Sequence, residues 1–334
     1  MTNEKILIRC DAAEIYEIGT GHLARCITIC KYLIYKHKFK KTNFIFLLKT
    51  KKKYRISEEI LKSEGFDYIS LENKIVDCSY EELEIIKRIN PKVIIIDRLQ
   101  PIKEKFLFLL EKANIKSVLI DDKSNFRINS DLYLNPLIFK KKKKFKNQGF
   151  NYSIFPSIIY KIKKKNKKTK NNKIKLFLFF GGYDPGNIQR KLIKILNNYK
   201  NYKLVISEKY KLSFKKENYS YYNKKNFYKK MEDSDIAIIS GGLILFDAIN
   251  FNLPIICIPQ YLHQKRNALN LKKSGLIYFL ELKKNTEIKL IKLLYKLTRN
   301  SLIINKLKSN QKKFLIKLKY KKILKDIKDL YENK

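Results

Sequence analysis

The chain has 334 residues, long enough for two α/β domains that each bury a core, and it carries 74 Lys and Arg against 31 Asp and Glu, a formal net charge of +43. Lysine runs along the whole sequence beside abundant Asn, Ile, Tyr and Phe, so the charge reads as solvated surface rather than a nucleic-acid footprint, and no stretch resembles an RNA- or DNA-recognition motif. No apolar run is long enough to span a bilayer, the five cysteines lack paired spacing and the three histidines are far apart; the expectation is a cytoplasmic protein with reduced thiols and no metal site.

In chain order, Ile6–Arg9 is a strand pattern, and Gly19-Thr20-Gly21-His22 opens a helix with Leu23, Cys26, Ile27, Cys30, Leu33 and Ile34 on one face. A strand at Asn43–Leu48, a helix near Ser57–Glu64, a strand at Lys92–Asp97, a helix near Ile102–Ala113 and a strand at Ser117–Asp121 continue the alternation, the signature of a parallel sheet. Residues 1–140 are therefore expected to form an N-terminal Rossmann-like domain. Residues 141–173 read as a lysine-rich linker with one ordered segment at Gly149–Tyr160, and residues 174–334 as a second Rossmann-like domain. In the latter, Leu176–Phe180 leads into Gly181-Gly182-Tyr183-Asp184-Pro185-Gly186-Asn187 and a helix at Ile188–Leu196. Then follow Tyr202–Ser207, a short helix around Phe227–Glu232, strands at Ile236 and Ile255, and helical patterns from Glu287 onward. The expected fold class is α/β, two doubly wound domains facing a cleft.

Three of these strand-to-helix junctions hold glycine clusters, Gly19/Gly21, Gly181/Gly182 and Gly241/Gly242, among only 10 glycines in the chain. Ser240-Gly241-Gly242-Leu243 follows an apolar strand and precedes a helix, so main-chain N–H groups there suit a diphosphate. His22 is open to two readings, a proton-transfer group or a helix cap. Asp11, at the end of the preceding strand, either orients that ring or caps the turn. Asp247, one turn into its helix, either accepts the two hydroxyls of a ribose or complements the helix dipole. His263 and Gln264 precede a helix as caps or as donors to phosphate or sugar, with Asn267 on the next turn. Asp121-Asp122 reads as a strand-end turn or a metal-binding pair.

Ile8-Arg9-Cys10-Asp11 with Ile18-Gly19-Thr20-Gly21-His22-Leu23-Ala24-Arg25-Cys26 resembles the amino-terminal signature of the UDP-2,4-diacetamido-2,4,6-trideoxy-β-L-altropyranose hydrolase family of pseudaminic acid synthesis, which also includes spore-coat polysaccharide biosynthesis proteins. Gly181–Asn187 is similar to its second signature, and Asp235–Asp247 with His263–Asn267 to its third. The resemblance implies a glycosyltransferase-B fold, a relationship to the N-acetylglucosaminyltransferase of peptidoglycan synthesis, and hydrolysis of a UDP-sugar without metal or cofactor. It implies His22 as the base that activates water, amides near Gly182 and Gly242 for the diphosphate, Asp247 for the ribose and Asn267 for the nucleotide-sugar. Two departures stand out. The family's tyrosine two residues after the fourth-strand aspartate is absent from Asp97-Arg98-Leu99-Gln100, and its Tyr-Ala-Leu-Leu-Arg-like segment appears as Tyr152-Ser153-Ile154-Phe155-Pro156 without the arginine. Two alternatives accompany the hydrolase expectation: a glycosyltransferase of the same fold using a UDP-sugar donor, and a non-catalytic nucleotide-sugar-binding protein.

Overall fold

The computed structural model describes residues 4–13, 19–49, 54–72, 74–137, 146–160, 173–182, 184–211, 213, 218–283 and 285–333. Packing divides the chain into two units, residues 1–159 with 318–334, and residues 160–317.

The first unit runs β1 (Ile6–Cys10), α1 (Gly21–His37), β2 (Phe44–Lys49), α2 (Arg55–Glu64), β3 (Asp67–Leu71), α3 (Tyr80–Ile89), β4 (Val93–Asp97), α4 (Glu104–Lys112), β5 (Lys116–Ile120) and β6 (Leu132–Leu134). All six strands are parallel, in the order β3-β2-β1-β4-β5-β6. β1 and β4 are buried at every position because helices cover both faces, which is why they read as unbroken apolar runs. Alternation along them sorts the core: Ile6, Ile8, Val93 and Ile95 pack on the α1 side, and Leu7, Ile94 and Ile96 on the α4 side.

The second unit runs β7 (Ile174–Phe179), α5 (Ile188–Leu196), β8 (Tyr202–Ser207), β9 (Tyr219–Tyr222), α6 (Phe227–Glu232), β10 (Ile236–Ile239), α7 (Ile244–Asn250), β11 (Ile255–Cys257), α8 (Leu262–Lys273), β12 (Tyr278–Phe279), α9 (Thr286–Arg299) and α10 (Ser301–Ile316). Its parallel order, β12-β11-β10-β7-β8-β9, is the same topology read from the other edge. In each sheet the strand order reverses once, between β1 and β4 and between β7 and β10. The crevice outside the carboxyl ends at such a reversal is where open α/β sheets bind ligands.

Two boundaries differ from the sequence expectation. The segment after Gly149 forms 3-10 turns at Phe150–Tyr152 and Pro156–Ile159, and Ile154 and Phe155 between them are 0% exposed, so it is part of the first unit. Residues 141–145 and 161–172 of the expected linker lie outside the described residues. The last helix, α11 (Tyr320–Glu332), also belongs to the first unit: Ile323, Leu324 and Ile327 join the core that β1 and α1 begin. Burying each of those side chains contributes roughly 1.5–3 kcal/mol, and Tyr331 adds a hydrogen bond to the Glu4 carbonyl at 3.0 Å. Among the described residues no helix is long and apolar enough to cross a membrane.

Candidate active site

The reversal in the first sheet places α1 and the end of β4 side by side, with Cys10 in register with Asp97. His22, Arg25 and Cys26 sit at spacings of three and four on α1 and so share one face. That face meets Asp97, which lies on the α1 side of β4 with Val93 and Ile95. His22 Nδ1 is 2.6 Å from Asp97 Oδ1, and Arg25 donates to both oxygens of the same carboxylate, from Nε and Nη2, at 2.7 Å each. Arg25 Nη1 reaches Asp121 Oδ2 at 2.6 Å. Asp97 is 0% exposed, and burial alone would raise its carboxyl; the Arg25 guanidinium and then His22 outweigh that and hold it at about 2. The His22 side chain is 16% exposed, so one edge of the ring still reaches solvent. Thr20, at the start of α1, makes no side-chain capping bond.

This geometry revises the expected partner of His22. Asp11 does not touch the ring; it accepts from Arg9 Nη1 at 2.9 Å and from the Lys49 N–H at 3.3 Å. The physical reason is a second network on the opposite face of the sheet. There Arg9, 1% exposed, also donates to Glu82 at 2.7 Å and Asp77 at 2.8 Å. Arg98, pointing away from Asp97 as the next residue must, contacts Glu82 at 3.3 Å and the Cys78 sulfur at 2.6 Å, while Lys49 pairs with Asp77 at 2.7 Å. Three cations therefore meet three carboxylates. Burial lowers the Arg9 guanidinium's hold on its proton, but Asp11, Glu82 and Asp77 more than reverse this. Asp121 and Asp122 are a strand-end turn: Asp121 accepts from Arg25 and the Leu137 N–H, Asp122 from the Ile102 and Ser124 N–H groups.

At the reversal in the second sheet, the loops after β7 and β10 carry the two glycine pairs. Gly181 has φ 85°, a left-handed conformation that favours glycine; Gly182 is exposed and Tyr183 lies outside the described residues. Asp184 closes the start of α5, accepting from the Ile188 N–H at 3.0 Å and the Gln189 N–H at 2.9 Å. The protein's own carboxylate thus fills that helix end, a role the sequence reading missed because Asp184 lies three residues before the N-cap position, Asn187, where capping side chains are looked for. Ser240 is buried, and its N–H bonds the Phe179 carbonyl. Gly241 is held by close approach: a Cβ there would sit 2.7 Å from the Gln264 carbonyl oxygen, whereas one at Gly242 would meet nothing within 4 Å. Gln264, 9% exposed, accepts from the Gln260 N–H at 2.9 Å and the Gly241 N–H at 3.4 Å, so its side chain ties the two loops together.

Leu243 precedes α7, and Asp247 on its first turn is 2% exposed. His263 is exposed and stacks on Tyr261 with ring centroids 5.6 Å apart; Asn267 is half-buried on α8. A pocket of ≈ 530 Å³ opens among Pro185, Gly186, Gln260, Tyr261 and Thr286, beside the glycine pairs rather than on them.

Residues 133–328 match the glycosyltransferase family 28 C-terminal domain. The chain belongs to this family. The match begins in β6 and ends in α11, so it takes in the whole second unit of this glycosyltransferase family 28 protein. An uncharacterized protein of Methanocaldococcus jannaschii is 28% identical over 281 residues, covering 73% of this chain and 54% of its own length; the chain spans about half of that curated relative. Among solved structures, spinosyn forosaminyltransferase SpnP superposes with a TM-score of 0.69 at 9% identity, over 99% of this chain and 100% of its own. A putative UDP-N-acetylglucosamine 2-epimerase from Listeria monocytogenes gives 0.63 at 11% identity, over 100% and 98%. Acinetobacter baumannii MurG gives 0.61 at 9%, over 92% and 95%. The family 28 protein has the glycosyltransferase-B fold.

Proposed function

We propose that the protein transfers a sugar from a UDP-sugar donor to an acceptor hydroxyl, with His22 as the base. The observation that carries the reading is the His22–Asp97 contact at the strand reversal, in a chain of glycosyltransferase family 28. The acceptor O–H gives its proton to the imidazole, the acceptor oxygen bonds the anomeric carbon from the far side, and the sugar–phosphate C–O bond breaks with its electron pair leaving on UDP. In this proposal the second unit carries the nucleotide. Main-chain N–H groups around Gly181, Gly182 and Gly242 receive the diphosphate, Asp247 the ribose, and Ser240, Leu243, His263, Gln264 and Asn267 complete the donor site. Gly19, where an added Cβ would meet nothing within 4 Å, and Gly21 put no side chain on the approach to His22.

A second reading, hydrolysis of a UDP-linked 2,4-diacetamido-2,4,6-trideoxyhexose for pseudaminic acid-type glycans, is supported by the Arg9–Asp11 and Gly19–Cys26 signature. Water then takes the acceptor's place and the same ring takes its proton. Incubation with a panel of UDP-sugars, with and without acceptor alcohols, separates the two. UDP released only with acceptor supports transfer, UDP released at the same rate without it supports hydrolysis, and binding without release leaves a nucleotide-sugar-binding protein. Release is expected to persist in EDTA, because in this proposal main-chain N–H groups and not a cation meet the leaving diphosphate.

A further inference from the structure

Every acceptor position on Asp97 is in use. Oδ1 takes His22 Nδ1 at 2.6 Å and Arg25 Nη2 at 2.7 Å, while Oδ2 takes Arg25 Nε at 2.7 Å and the Cys26 thiol at 3.8 Å. The carboxylate cannot rotate without breaking the Arg25 fork, since two parallel N–H···O bonds define its plane. Arg25 is itself 1% exposed and pinned at its other end by Asp121 at 2.6 Å. Asp121 is anchored in turn: its backbone is left-handed at φ 52°, its N–H bonds the Leu134 carbonyl at 2.9 Å, and its second oxygen accepts from the Leu137 N–H at 3.0 Å. The chain of contacts from the imidazole therefore ends on main chain.

Charge follows the same path. One guanidinium between two carboxylates leaves a single negative charge, which an imidazolium on His22 would neutralise. The Asp97 carboxyl, which burial works to raise but Arg25 and His22 hold at about 2, is ionised near neutrality and has no hydrogen to donate. The hydrogen in the 2.6 Å contact accordingly belongs to Nδ1.

We propose that Arg25 and Asp121 are positioning residues that clamp Asp97 in one orientation and so fix His22 as the Nδ1–H tautomer, leaving Nε2 as the position that accepts a proton. The kinetic half of this rests on His22 acting as the base; the tautomer does not. Nitrogen-15 spectra of histidine-labelled protein test it directly, since the chain has three histidines and a His22→Asn variant identifies the resonances. The intact protein should show a protonated Nδ1 and an unprotonated Nε2 in the neutral ring. Arg25→Met should mix the two tautomers and lower turnover on the order of 10²-fold with the KM for the UDP-sugar unchanged. Arg25→Lys, keeping the charge but losing the fork, should restore only part of each. Asp121→Asn, which leaves the Arg25 fork on Asp97 in place, should shift the tautomer balance less and carries the test if Arg25→Met fails to fold. An Nδ1–H signature unchanged in Arg25→Met, or in Asp121→Asn where only that variant folds, overturns the proposal. A mixed tautomer with undiminished turnover leaves the clamp standing and sinks the base.

Discussion

The two sheets share one topology and meet their strand reversals with opposite chemistry. At the carboxyl edge of the first, Arg9, Arg25 and Arg98, none more than 5% exposed, are locked to Asp11, Asp77, Glu82, Asp97 and Asp121. At the matching edge of the second stand Gly181, Gly182, Ser240, Gly241 and Gly242, braced by the amides of Gln260 and Gln264. Buried charge fixes orientation and proton affinity; bare backbone offers N–H groups to whatever anion approaches. Under the proposed function the first edge carries chemistry and the second carries binding, and substitutions should then keep those two effects apart.

The largest separation is expected at His22. Replacing it with Asn should lower turnover by roughly 10²–10⁴-fold while calorimetry finds UDP affinity nearly intact; a parallel loss of affinity would erase the division of labour. Next comes the charge network itself. Glu82→Gln leaves Arg9 and Arg98 short of a fully buried partner, and denaturant unfolding should register a loss of about 3–5 kcal/mol. A change below 1 kcal/mol would mean that the network is far wetter than its burial indicates.

Acid gives a third test. The Asp97 carboxyl has an ordinary value of 3.8 and a folded value of about 2, so it stabilises the fold fully above pH 4, and that stabilisation is lost as the pH falls toward 2. Wild type should lose roughly 2 kcal/mol over that range that Asp97→Asn does not. On the glycine edge, Gly241→Ala should cost about 1–3 kcal/mol through collision with the α8 backbone, whereas Gly242→Ala should fold normally; equal melting temperatures would refute the close approach. The smallest effect concerns Asp247. If its carboxylate takes the ribose diol, Asp247→Asn should weaken UDP about tenfold more than dUDP. Equal weakening with a lower melting temperature would assign this 2% exposed side chain to packing alone.

Most of the interior was legible in the sequence because helices on both faces force the central strands to be apolar throughout. The strands that escaped notice, β3, β6, β9 and β12, are the four sheet edges. Asp67–Leu71, for instance, is buried only at Leu71, and β12 has two residues, so neither displays an apolar run. At the candidate site, the spacing of His22 and Arg25 and the side of β4 on which Asp97 falls were both readable. What was not readable was that β4 lies beside β1: with the next strand in sequence, β2, on the other side of β1, Asp11 looked like the nearer carboxylate. Asp11 is claimed instead by Arg9, two residues earlier on its own strand.

The return of the last helix to the first unit sets an order on biosynthesis. A ribosome delivers the whole of residues 160–317, whose core is complete in itself, before it delivers Ile323, Leu324 and Ile327. Of the two units, the one begun first is therefore finished last, and until α11 emerges the apolar surface around Tyr32 and Phe44 lacks its α11 cover, a period in which a chaperone would find its binding site on that unit.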